Sequence, residues 1–157
     1  MKAYRLPLRC RYGLRINGKT ALLVSMERGY RHKETRVSRI NYHVIFCPKR
    51  RRKVLVGPVR ERLIALINET ATELDCELLA LEVMPEHVHL LVSAPPDLAP
   101  NQIVGRFKGK SSRFLRREHP ALRRLPSLWT RAYFVSTAGN VSRATIERYI
   151  AAQTTRG

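Results

Sequence analysis

Two runs of β-forming residues, CELLALEVM (76–84) and HVHLLVSA (87–94), are separated by only Pro85 and Glu86. So short a link joins strands lying side by side and antiparallel, so a hairpin is expected and the rest of the fold must build around it. Upstream, RINYHVIFC (39–47) alternates, is rich in Tyr, Val, Ile and Phe, and suits a strand that stops at Pro48. Between these strands PVRERLIALINETATELD (58–75) sets Val59, Leu63, Leu66, Ile67 and Leu74 near helical spacing, with Pro58 suited to the first helical position. A second helix, from about Asn101 to Glu118, carries Ile103, Val104, Phe107, Phe114 and Leu115 on one stripe and most of its Lys and Arg off it.

After a Pro-punctuated loop, WTRAYFVSTA (129–138) reads as a fourth strand, Gly139-Asn140 as a turn, and SRATIERYIAAQ (142–153) as a closing helix that starts on a capping-type serine. The string is β-α-β-β-α-β-α. Its first six elements make an α+β fold, the ferredoxin-like split βαβ antiparallel sheet (β-α-β-β-α-β), with a C-terminal helix appended, and put the HVHLLVSA strand near the sheet's centre. The chain's 157 residues suffice for one compact domain with a real core. Residues 1–37 show no sustained period and only a short apolar island, TALLVSM, so they are expected to be a basic, poorly ordered leader to a domain spanning 38–157.

Thirty Lys and Arg against twelve Asp and Glu give a formal charge of +18, self-repulsion that a polyanion relieves. Nucleic acid is the expected partner. A membrane surface fits less well, because the bases are not gathered opposite one apolar helix face. Cys10, Cys47 and Cys76 form no CxxC pair and leave one cysteine over in any disulfide scheme, and the N-terminus lacks a signal-peptide core. With no apolar run near the roughly 20 residues of a membrane span, a cytoplasmic protein is expected.

In HVHLLVSA the residues two apart share a face, about 6 to 7 Å from each other along the strand, so His87 and His89 can bend toward one ion. Val88, Leu90 and Val92 take the other face. Alone, such a pair is half a metal site, and a surface or hydrogen-bonded pair is its ordinary alternative. A histidine-triad hydrolase would want a third His where Leu91 stands, and His32, His43 and His119 have no zinc-type spacing. Mixed nitrogen and oxygen ligands with open positions suit Mg²⁺ or Mn²⁺ acting as a Lewis acid on a phosphate. Glu86, beside the pair, is either a partner that orients one imidazole or a simple turn acid.

In YIAAQ, Tyr149 and Gln153 are four apart and share a helical face. Taken alone, Tyr149 reads first as a core aromatic beside Ile146 and Ile150, but a long polar Gln153 extending that stripe adds nothing obvious to packing and weakens that reading. A phenol, with pKa near 10, attacks phosphorus only when deprotonated or in line with an activated phosphate. Tyr133, the rival nucleophile, looks like ordinary strand packing next to Phe134.

The segments INYHVIFCPKRRRKVLVGPV, MPEHVHLLVSAPP, KGKSSRFLRREHPAL, LPSLWTRAYFVSTAGNVS and IERYIAAQ together resemble the HUH (His-hydrophobic-His) single-tyrosine transposases of small bacterial insertion sequences, over about residues 38 to 155. By that resemblance His87, His89 and Gln153 bind the divalent cation, Mg²⁺ or Mn²⁺, and Tyr149, on a catalytic C-terminal helix, attacks single-stranded DNA. The resemblance further implies recognition of single-stranded DNA hairpin ends, 5′-phosphotyrosine links, and a homodimer whose active sites are completed in trans. Lys49, Arg50, Arg51, Arg52, Lys53, Arg106, Lys108 and Lys110 are then candidate DNA phosphate contacts, and Trp129 is either a base-stacking platform or plain core. Residues 1–25 have no counterpart in the family pattern, which makes Met26 an alternative start, and many relatives continue past the chain's end. Two other readings stand beside this one: a domesticated relative that processes chromosomal palindromes, and a catalytically silent nucleic-acid-binding module on the same sheet.

Overall fold

The computed structural model describes residues 13–16, 19–22, 31–33 and 36–138. The sequence-predicted helix that bears Tyr149 and Gln153 lies outside the described residues. Short strands β1 (Gly13–Ile16) and β2 (Lys19–Leu22) pair with each other, and β3 (Arg31–Lys33) pairs with β4 (Arg36–Ser38) as a separate ribbon. The body of the fold runs β5 (Ile40–Phe46), α1 (Gly57–Glu73), β6 (Glu77–Met84), β7 (His87–Ala94), α2 (Pro100–Glu118) and β8 (Phe134–Ala138).

Its antiparallel sheet has the order β6-β7-β5-β8, and β2 joins the free edge of β6 at Leu22–Leu81. β7 is inserted between β5 and β6, the two strands that α1 connects, which is the split βαβ arrangement expected from the element order. The strand carrying both histidines is thus held by ladders on both sides, from Ile40–Ala94 to Phe46–Val88 on one and from Glu77–Ser93 to Met84–His87 on the other.

Alternation in each strand decides which residues the helices cover. Val44 and Phe46 of β5, and Val88, Leu90, Val92 and Ala94 of β7, are almost completely buried in one cluster with Leu63, Leu66 and Ile67 of α1 and Ile103, Val104, Phe107 and Leu115 of α2. Each such aliphatic or aromatic side chain stabilises the fold by about 1.5–3 kcal/mol relative to exposure. In β6 the strict alternation breaks: the register shifts between Leu78 and Ala80, so Leu78 before the bulge and Leu81 and Val83 after it all reach the core. After the bulge Glu82 and Met84 fall on the opposite face, level with His89 and His87.

Local chemistry sets the helix ends. Pro100 starts α2, and the Gln102 side chain accepts a hydrogen bond from the Ala99 amide at 3.0 Å. Asp75, at φ 52°, turns the chain out of α1, and the Cys76 amide closes the end onto the Ala71 carbonyl at 2.8 Å.

The last strand differs from expectation, beginning at Phe134 rather than Trp129. Residues 129–132 spend their backbone elsewhere: the Thr130 amide donates to the Cys47 carbonyl at 3.1 Å, and the Lys108 ammonium donates to the carbonyls of Thr130, Arg131 and Ala132 at 2.7, 3.1 and 3.5 Å. Trp129 is core, as one of its two sequence readings held. It is 6% exposed, edge-on to Phe46, and its indole N–H is satisfied inside the protein, so it offers no face to a base.

Candidate active site

The sheet face turned away from the helices carries the chemistry. His87 and His89 stand two apart on β7 with ring centroids 4.7 Å apart and planes at 80°. Central placement gives both a rigid backbone. His87 Nδ1 lies 3.2 Å from Glu86 Oε1, so the turn acid does contact one imidazole. His89 Nδ1 lies 3.5 Å from His43 Nε2.

Burial, reinforced by the neighbouring His87 and His43, pushes the pKa of His89 down to about 4. Burial also lowers that of His43. His89 is therefore neutral at physiological pH, the form in which an imidazole nitrogen can donate a lone pair to a metal.

The two histidines and Glu86 open onto a cavity of about 550 Å³, walled further by Ile45, Arg51, Glu82, Met84, Tyr133 and Phe134. Among the described residues no three His, Cys, Asp or Glu side chains gather as a metal centre. Two nitrogen donors at the edge of an open cavity fit a hard divalent cation as a partial ligand set, to be completed by an oxygen donor. Gln153, expected to provide that donor, and Tyr149, the expected nucleophile, lie outside the described residues.

The basic candidates separate by their surroundings. After β5 the chain makes a 3-10 turn at Lys49–Arg51 in which Arg50 and Arg51 adopt the left-handed region, at φ 61° and 51°. For residues with a Cβ this costs about 1–3 kcal/mol each, and such strain clusters at functional sites. Arg50, Arg51, Arg52 and Lys53 are all exposed, and Arg51 also lines the cavity. Arg106 is exposed on α2. Lys108 and Lys110, by contrast, are engaged internally, Lys108 on the three loop carbonyls and Lys110 on Glu73 and Glu69 at 2.7 and 3.3 Å.

Tyr133 and Phe134 line the cavity where the sequence suggested ordinary strand packing, and His43, whose spacing suggested no metal site, borders His89. Tyr133 precedes β8 and is 41% exposed, and Phe134 beside it is 53% exposed. His43 sits on the same face of β5 as Ile45, which pairs with His89. The alternation of INYHVIF already puts His43 opposite Val44 and Phe46, but only strand adjacency brings it to the histidine pair.

No helix among the described residues is long and apolar enough to cross a membrane. Cys47 and Cys76 are free thiols.

Comparison with known proteins identifies the architecture. The family model described as "Transposase IS200 like" matches residues 36–153. The ISDra2 transposase TnpA of Deinococcus radiodurans is 38% identical over 120 residues, covering 74% of this chain and 86% of the relative. The transposase for insertion sequence element IS200 of Salmonella typhimurium is 31% identical over 112 residues, covering 69% and 73%. A crystal structure assigned to a transposase of Deinococcus radiodurans R1 superposes with a TM-score of 0.65 at 36% identity, over 78% of this chain and 97% of that one. A REP-associated tyrosine transposase bound to a REP hairpin shares the fold at a TM-score of 0.51 and 16% identity, over 80% of this chain and 68% of that one. With a family match spanning β5 to β8 and both helices, the chain belongs to the IS200-like transposase family, the single-tyrosine HUH enzymes that move mobile elements by DNA transposition.

Proposed function

We propose that this transposase cuts and rejoins single-stranded DNA through a 5′-phosphotyrosine intermediate, at hairpins that mark the ends of an insertion sequence. The observation that carries the reading is the pair of imidazoles at the rim of the cavity, one of them held neutral by burial, with Arg51 in the same wall. His87, His89 and Gln153 would hold Mg²⁺ or Mn²⁺, which when bound supplies Lewis-acid polarisation of a phosphate oxygen. Tyr149 is the nucleophile. Its phenol oxygen forms the bond to phosphorus and gives up its proton, the bond from phosphorus to the 3′ oxygen breaks, and that oxygen leaves as a 3′ hydroxyl. Rejoining is the reverse attack by a 3′ hydroxyl on the phosphotyrosine.

Arg50, Arg51, Arg52, Lys53 and Arg106 are free to face phosphates, with Lys49 at the start of the same turn. Lys108 and Lys110 can join them only by leaving their internal partners. We assign the activity to residues 38–157, acting in the cytoplasm as a homodimer in which the tyrosine helix of one subunit serves the histidines of the other.

The test is incubation of the protein with single-stranded DNA carrying a hairpin end, with and without Mg²⁺, followed by a denaturing gel. A protein-linked DNA fragment that needs the ion and disappears in Tyr149→Phe, while hairpin binding persists, is the expected result. Full cleavage by Tyr149→Phe removes the phenol from the mechanism, and binding without any ion-dependent nicking leaves a nucleic-acid-binding module.

A further inference from the structure

We propose that His43 is a positioning residue for the metal site: it holds the His89 ring in the plane and tautomer that leave Nε2 as the ligand atom. The inference rests on the reading of His87 and His89 as metal ligands. The antiparallel register pairs Ile45 with His89 and His43 with Leu91, so His43 is the diagonal neighbour of His89 on the same face of two central strands.

The two imidazoles are almost coplanar, with planes 4° apart and centroids 5.7 Å apart, and the facing nitrogens, His89 Nδ1 and His43 Nε2, are 3.5 Å apart. The centroid separation exceeds the nitrogen separation by about two ring radii. That condition is met only when both nitrogens lie near the line joining the ring centres, so the rings meet edge to edge rather than face to face. Edge-to-edge contact directs an N–H along a lone pair. Phe134 packs against the far side of His43, centroids 5.9 Å apart and planes at 65°, and limits its rotation.

A histidine that ligates through one nitrogen needs its other nitrogen as an N–H donor, and the acceptor it finds decides the tautomer. With His89 Nδ1 donating to His43 Nε2, the lone pair of His89 sits on Nε2. His43 must then carry its own proton on Nδ1. His87 has the parallel arrangement, with its Nδ1 against Glu86, so each imidazole of the pair has its own orienting partner from a different element. A side chain present only to fill space would need no nitrogen at that point.

The experiment uses the full chain, His43→Leu and His43→Gln. Gln can place an acceptor near the position of Nε2, whereas Leu fills similar volume without one. Long-range ¹H–¹⁵N NMR in EDTA reads the tautomer of His89, and calorimetric titration with MnCl₂ reads affinity. The expected result is an Nδ1–H tautomer in the wild type, a mixture in His43→Leu, and a Mn²⁺ affinity weakened about 10–100-fold in His43→Leu, largely restored in His43→Gln, with unchanged melting in EDTA. Wild-type affinity in His43→Leu, or an Nε2–H tautomer in the wild type, overturns the role of His43. If Mn²⁺ binding is absent in the wild type, or indifferent to His87→Ala and His89→Ala, the metal reading itself fails and His43 falls with it, a pattern distinct from loss of the His43 effect alone.

Discussion

The indole N–H of Trp129 donates to Ser111 Oγ at 3.0 Å, and Ser111 in turn donates to the Phe107 carbonyl of its own helix, so one hydroxyl ties α2 to the chain segment that leads into β8. Both side chains are nearly inaccessible to water. That segment leads to Tyr133 and Phe134 in the cavity lining, so a bond in the core anchors the chain shortly before it reaches the site's rim. Ser111→Ala strands a buried donor and is expected to lower unfolding free energy by about 1–3 kcal/mol, measured by urea titration followed through Trp129 fluorescence.

Removal of one histidine should separate metal binding from DNA binding. His89→Ala is expected to abolish ion-dependent cleavage while hairpin affinity in EDTA stays within about twofold, because phosphate contacts come from other residues. Glu86→Ala, which removes only the partner of His87 Nδ1, should weaken Mn²⁺ affinity about 10–100-fold rather than eliminate it. Calorimetry and a gel assay on the same preparations distinguish the two effects.

The basic residues should divide according to their internal partners. Arg51 in the cavity wall and Arg52 on the open turn are expected each to reduce the slope of log affinity against log salt by about 0.7 when changed to Ala, the value for one single-strand phosphate contact. Lys110→Ala, with its ammonium bound by Glu73 and Glu69, should change that slope less. Fluorescence-anisotropy titrations across a range of NaCl concentrations measure it.

The two described cysteines should differ in reactivity. Burial pushes the Cys76 thiol up to about 11 from an ordinary 9.0, whereas Cys47 is half-buried in the cavity lining. Alkylation at pH 8, read by mass spectrometry, is therefore expected at Cys47 first, with Cys76 modified only on unfolding. The unfolded chain surrenders the Cys76 proton near pH 9 and the folded chain only near 11, so folding stability is lost as pH rises across that interval. A Cys76→Ala variant should lack this part of the alkaline decline, which paired melts of the two proteins at pH 8 and pH 10 would detect.

Much of the fold was legible because periodicity reports burial directly. The stripes on 58–75 and 101–118 became α1 and α2, and the hairpin across Pro85-Glu86 became β6 and β7. Less legible were features produced by competition between distant groups. The start of β8 is displaced because Lys108, remote in sequence, claims the carbonyls of 130–132. The bulge in β6 lets Leu78, Leu81 and Val83 share one face, which no strict alternation of ELLALEVM would allow.

By itself the sequence determined which residues are apolar at which period, and hence the helix faces, the hairpin and the outward placement of His87 and His89 on their strand. It also carried a net charge of +18, which a polyanion would relieve. Only the tertiary structure decided what surrounds the histidines: β7 is inserted between β5 and β6, so Glu82 and Ile45 flank His89, and His43 meets it from 46 residues away. The physical reason is that alternation assigns a side chain to a face, while its neighbours across the ladder follow from strand order and register, which are set by how the whole core packs.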